Sequence, residues 1–181
     1  ERLEHYHSGR ELIIMFVDLV SRGGNFLLDI GPDGDGTIPV IMEERLIQMG
    51  DWLKVNGEGI YGTRPWTATR QWGAGQAPKV EYNKEYETAY DVMTLVDKPA
   101  AGQAAIEAFF TSKGQDIYAI LPHWPGGRFV FRGVTGVKSA TLLGSSAPLK
   151  FAPVPGGVAV SLPALPADLL GQPAWTVKLA R

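Results

Sequence analysis

The chain has 181 residues, with 17 Lys and Arg against 19 Asp and Glu, a formal charge of −2. That balance offers no electrostatic attraction to nucleic acid or to an anionic membrane, and no apolar run reaches the roughly 18 residues needed to span a bilayer. With 45% hydrophobic and 20% charged residues the composition is globular, and the absence of cysteine excludes disulfides, thiolate nucleophiles and Cys-ligated zinc.

Glu1 is not methionine, and no charged-then-apolar leader precedes the first structured segment, so the expectation is a chain that starts within something larger. Ser8-Gly9-Arg10-Glu11 fits a capping box, with the Ser8 hydroxyl accepting from the Glu11 amide and the Glu11 carboxylate reaching back. Leu12, Ile13, Phe16, Val17 and Val20 then form a helical stripe that Gly23-Gly24 ends. Asn25-Phe26-Leu27-Leu28-Asp29-Ile30 is apolar almost throughout and predicts a strand buried on both faces, as in a parallel sheet. Gly31 to Gly36 is a turn-rich loop, and Pro39 suits the first turn of a second helix carrying Met42, Leu46, Met49 and Leu53 and stopping near Asn56-Gly57. Residues 8 to 57 thus read helix, strand, loop, helix. One parallel strand needs neighbours on both sides, and this sequence holds no candidates for them.

From Tyr61 the pattern changes. Gly62 to Trp66 reads as an exit segment, and the stretch that follows is irregular, with Val92 to Val96 a candidate strand. From Ile106 the period becomes two. Candidate strands are Ile106 to Thr111, Asp116 to Leu121, Arg128 to Val134, Lys138 to Leu143, Leu149 to Phe151, Val158 to Leu162 and Trp175 to Leu179, separated by glycine-rich turns. Short strands at this spacing predict an antiparallel β-sandwich. No internal repeat of fixed period is present.

Specific residues carry a resemblance. Ser8 to Leu12, Val17 to Pro32 and Asp35 to Pro39 resemble the end of the catalytic barrel of α-L-fucosidases, glycoside hydrolase family 29. Trp52 to Trp66 resembles that family's last barrel helix and exit, and the likeness continues at Ile117 to Ile120, Trp124-Pro125 and Leu142 to Gly144, with little across residues 78 to 105. At Asp29 the family more often has Asn. The resemblance implies α/β plus all-β architecture: the end of a (β/α)8-like catalytic barrel (helix, strand, helix) over residues 1–66, a linker or irregular segment over 67–105, and an antiparallel β-sandwich over 106–181. It further implies retaining hydrolysis of terminal α-L-fucosyl residues from glycoconjugates by two carboxyl groups, an Asp nucleophile and a Glu acid/base. No residue of this chain matches either motif, so no catalytic residue is assigned, and the 181 residues alone are expected to be inactive. The implied partners are a fucosylated glycan and the missing N-terminal barrel portion, with room for a homo-oligomer and with no nucleic acid or membrane. No cofactor and no metal are implied. The family is often secreted, periplasmic or lysosomal.

The candidate substrate-binding residues are Asp29 and Asp33, because a (β/α)8 barrel places its site at the C-terminal ends of the strands, here Asp29 to Asp33. The plainer reading of Asp29 is a carboxylate that hydrogen-bonds the loop amides following it. Asp33 to Thr37 with Glu44 hints at a calcium loop, but Ile38 occupies the position that should be glycine. Gly57 to Gly62 matches a dinucleotide fingerprint formally, yet a helix precedes it and none follows, which is the wrong context for phosphate. His5 and His7 lack a third ligand. Trp66, Trp72 and Trp124 have the shape to stack on a sugar ring, although packing is the commoner use of so large a side chain. The rival to the fucosidase reading is therefore a non-catalytic carbohydrate-binding or structural β-sandwich module.

Overall fold

The computed structural model describes residues 5–78 and 91–181. Helix α1 spans Gly9–Ser21 and opens with the expected capping box, Glu11 N donating to the Ser8 hydroxyl and Ser8 N to the Glu11 carboxylate. Helix α2 spans Val40–Asn56 and follows Pro39, whose fixed φ starts the helix although the residue stands just before it. Between them, residues 24–33 form neither helix nor ladder. The strand expected at Asn25 to Ile30 is therefore not realised as a strand, because no described residue offers it a neighbour. Its period of two survives: Phe26, Leu28 and Ile30 are half-buried, and Phe26 lies 5.7 Å from Phe16 of α1, while Asn25, Leu27 and Asp29 are exposed.

Among the described residues, eight strands follow the helical pair. β1 is Arg64–Trp72, β2 Ile106–Lys113, β3 Asp116–Leu121, β4 Gly127–Arg132, β5 Ser139–Leu142, β6 Phe151–Val154, β7 Gly157–Leu162 and β8 Trp175–Ala180. They build a five-stranded sheet in the order β1-β2-β3-β8-β5 and a three-stranded sheet in the order β4-β7-β6, with every ladder antiparallel. The seven expected strands are all present, with ends moved by a few residues, as is usual for boundaries.

Two elements differ from the sequence reading. β1 occupies a stretch read as exit segment and irregular chain, yet Trp66, Ala68, Arg70 and Trp72 alternate with Thr67, Thr69 and Gln71 in the strand period. The ladder slips between Pro65 and Arg70, which pair with Thr111 and Phe109, so β1 bulges there. Val92 to Val96, expected as a strand, is helix α3, Val92–Asp97. The Asp91 carboxylate accepts from Met93 N at 2.9 Å and from the Thr94 hydroxyl at 2.7 Å, and the cap decides the conformation over the β-branched composition. The buried residues Val92, Leu95 and Val96 keep helical spacing.

The larger sheet is covered on both faces. Ala108, Phe110, Ile117, Ala119 and Val177 face Phe131, Val158 and Val160 of the smaller sheet, while Ile106, Phe109 and Ile120 face Ile13, Ile14, Val17 and Trp52 of the helices. Asp116–Leu121 is accordingly buried almost throughout, although its ladders are antiparallel. The molecule is three layers: helices, a five-stranded sheet, and a three-stranded sheet.

Polar residues tie the layers. Asp18 of α1, almost fully buried, receives Arg22 of its own helix at 2.7 Å and Arg70 of β1 at 2.5 Å. Gln71 joins the two sheets at their β1 edge by donating to Val130 O at 3.0 Å and accepting from Arg132 N at 2.9 Å.

Candidate functional site

The half-buried period of residues 24–33 directs Leu28 and Ile30 toward the helical pair, and there they help to line a cavity of about 140 Å³ together with Asp29. His5, Tyr6 and His7 close one side, and Met42, Arg45 and Leu46 of α2 close another. Arg45 is held in place by its own contacts: Nε donates to His7 O at 3.0 Å and Nη1 to Gln48 Oε1 at 3.2 Å. A carboxylate, a guanidinium and two imidazoles thus border one small open space, a set suited to hydrogen-bonding the hydroxyls of a polar ligand.

Of the two candidate binding residues, only Asp29 lies on this cavity. Among the described residues its carboxylate makes no hydrogen bond, so the loop amides are not its partners. Asp33 sits in an exposed turn, where its amide donates to Thr37 O and its carbonyl accepts from Gly36 N, each at 2.8 Å. The neighbouring Asp35 carboxylate accepts from the Thr37 amide at 3.0 Å and hydroxyl at 2.7 Å, and these two bonds hold its pKa below the ordinary carboxylate value. That turn accounts for the spacing that hinted at calcium.

His5 and His7 join the cavity, which the sequence did not signal, because their approach to Asp29 depends on how the chain enters α1. Arg45 was also missed. Its only sequence signal is its place on α2 one turn ahead of Gln48.

The remaining motifs are structural. Gly57–Gly59 forms a 3-10 turn whose Gly59 carbonyl accepts from the Thr111 hydroxyl at 2.6 Å, packing the turn on the sheet. A Cβ at Gly59 would lie 2.9 Å from the Thr176 methyl, so this close approach needs glycine. Trp66 lies edge-on to Phe110 at 5.0 Å, and Arg70 lies over Trp72. Trp124 donates to Pro163 O at 2.8 Å and lies 6.1 Å from Trp175. The outward positions of the smaller sheet include Arg128, Val130, Ala152, Ala159 and Ser161, and none of these is aromatic.

Comparison with known proteins agrees with this architecture. The Alpha-L-fucosidase family model matches residues 1–58, and the Alpha-L-fucosidase C-terminal domain model matches residues 103–180. The chain is 35% identical to the tissue alpha-L-fucosidase of Homo sapiens over 93% of its own length and 31% of that protein. It is 34% identical to the alpha-L-fucosidase of Branchiostoma floridae over 98% of its length and 34% of that protein. It therefore spans about a third of the length of these curated relatives. Among solved structures, the Thermotoga maritima alpha-fucosidase bound to a mechanism-based inhibitor superposes with a TM-score of 0.70 and 26% identity, covering 100% of this chain and 36% of that one. A Bacteroides thetaiotaomicron GH29 alpha-L-fucosidase shares the fold at 19% identity and a TM-score of 0.64. Two fucosidase family models in order along the chain, and a fold matched over its full length, show that the chain belongs to the α-L-fucosidase family and corresponds to a C-terminal portion of such a protein, with residues 103–180 matching its C-terminal domain.

Proposed function

We propose that these residues serve the retaining hydrolysis of terminal α-L-fucosyl residues from glycoconjugates, as the part of the enzyme that ends the catalytic barrel and steadies it with the β-sandwich. Residues 1–66 complete the barrel, 67–105 connect, with β1 lent to the sheet, and 106–181 form the sandwich. The observation that supports this best is the segment 24–33. It runs beside α1 with Leu27 95% exposed on its free face, as a barrel strand does when its neighbours come from elsewhere in the enzyme. Asp29 at the end of that segment, and Asp33 beyond it, would contact the sugar, while the nucleophile and acid/base carboxyls lie outside these 181 residues.

The pure 181-residue chain should release no p-nitrophenol from p-nitrophenyl α-L-fucoside. Joined to the catalytic portion that its relatives carry, it should be active, and Asp29→Ala should raise KM by about tenfold, the loss expected for one or two hydrogen bonds to a sugar hydroxyl. Activity in the isolated chain would end this reading. A sandwich that acts chiefly as a carbohydrate-binding module finds less support, because the outward positions named for its smaller sheet offer no aromatic platform.

A further inference from the structure

An aspartate or asparagine followed by glycine is prone to react with its own backbone, because a glycine has no Cβ to shield its amide nitrogen. The sequence holds three such pairs, Asp33-Gly34, Asp35-Gly36 and Asn56-Gly57. The reaction needs two groups free at once: the side-chain carbonyl carbon must be open to attack, and the glycine N–H must not be held by an acceptor. The three pairs differ on that condition. Asn56 is 1% exposed, its Nδ2 donates to Trp52 O at 3.2 Å and its Oδ1 accepts from Thr176 N at 3.1 Å. The Gly57 N–H donates to Leu53 O. Both halves of this pair are locked.

Asp35-Gly36 is exposed, yet it is locked as well. The Asp35 carboxylate accepts from the Thr37 amide at 3.0 Å and hydroxyl at 2.7 Å, and the Gly36 N–H donates to Asp33 O at 2.8 Å. The bonds from Thr37 also keep the Asp35 carboxyl ionised to lower pH, and only the protonated group releases its hydroxyl as water. Asp33-Gly34 differs. Both residues are exposed, and among the described residues the Asp33 carboxylate accepts no hydrogen bond and the Gly34 N–H donates none. Gly34 is the second residue of the turn closed by Gly36 N and Asp33 O, a position whose N–H takes no part in closing the turn. A Cβ at Gly34 would meet nothing within 4 Å, so the space around the attacking nitrogen is open.

We propose that Asp33 is a site of spontaneous covalent modification, isomerising to isoaspartate through a succinimide formed with Gly34. The Gly34 nitrogen attacks Asp33 Cγ, the N–Cγ bond forms, and the amide proton and the carboxyl hydroxyl leave together as water. Water then adds back at the Asp33 main-chain carbonyl carbon and the C–N bond there breaks. The chain now runs through Cγ, one methylene longer, and the former main-chain carbon becomes the free carboxylate. The chemistry needs only this turn and is independent of the fucosidase reading. The test is to age the folded 181-residue chain in mildly acidic buffer, below its unfolding transition, and to read the tryptic peptide of residues 23–45 by electron-transfer mass spectrometry. Isoaspartate should accumulate at Asp33, after a succinimide one water lighter. A hydrogen bond that must open first slows a pair about tenfold, so Asp33 should convert at least about tenfold faster than Asp35. In guanidinium chloride that lead should vanish, and Asn56, released from its partners, should deamidate. Gly34→Val, whose Cβ meets nothing and whose branch shields the nitrogen, should keep the urea midpoint and slow conversion about tenfold. The proposal is overturned by folded chain without isoaspartate at Asp33, by Asp35 or Asn56 converting as fast there, by a lead over Asp35 that persists in denaturant, or by a Gly34→Val chain that converts as the parent does.

Discussion

At the scale of single residues, the layers are joined by charge placed where water is scarce. Asp18 receives two guanidinium groups, one from its own helix and one from β1. Its removal breaks the 2.5 Å ion pair of Arg70, whose side chain is only 10% exposed. Asp18→Ala should therefore cost about 3–5 kcal/mol in urea unfolding, well above the cost of an exposed ion pair. A second network joins the turn after α2 to the sheet. Lys178 donates to Glu58 at 2.7 Å and lies 3.2 Å from Asp116, and Tyr118 donates to Glu58 at 3.0 Å. The Lys178 ammonium holds the Glu58 carboxyl below its ordinary value of 4.5, while Glu58 in turn raises the Lys178 pKa above 10.5. Burial, then Glu58, raises the Tyr118 phenol above 10.0. The signs follow from linkage. The Glu58 contribution is present above 4.5 and lost as pH falls through its lower folded value. The Lys178 contribution is present below 10.5 and lost as pH rises through its higher folded value, and unfolded Tyr118 ionises first as pH passes 10.0. The urea midpoint should fall at both ends of the pH range, and Glu58→Gln should flatten both falls.

At the scale of elements, local chemistry was legible wherever it was self-contained. The capping box at Ser8 needs only four residues, and Ser8→Ala should cost about 1 kcal/mol in thermal unfolding. Asp116–Leu121 matches the strand expected there residue for residue. Its continuous burial comes from helices on one face and a second sheet on the other. Segments that depend on distant partners were harder to read. β1 carries Arg70 and Gln71, whose use in a strand makes sense only once Asp18 and Val130 are in reach. α3 is six residues long and set by its cap, which a β-branched composition hides. The residues of the candidate site divide the same way. Asp29 could be named from its place at the end of a barrel-like segment, whereas His5, His7 and Arg45 reach the same cavity through tertiary packing.

For the whole molecule, the unpartnered surface is concentrated on the side of α2 and the segment before it. Val40 is 80% exposed and Ile47 55%, and Leu27 in the preceding segment is 95% exposed. An apolar area of this kind drives association in water. Sedimentation of the 181-residue chain should show concentration-dependent self-association, which Leu27→Gln combined with Ile47→Gln should reduce.

The sheet shared by helices and sandwich also bears on inheritance. The stretches matched by the two family models meet at that wall: Ile13, Val17 and Trp52 belong to the first, and Phe109 and Ile120, which they touch, belong to the second. A segment boundary in sequence is thus not a seam in space. Substitutions on one side of the wall alter the packing of the other, because close-packed side chains accept few changes of volume. The two stretches should drift in concert, and a chimera that takes residues 103–180 from one relative and 1–58 from another should fold only when the facing side chains travel together.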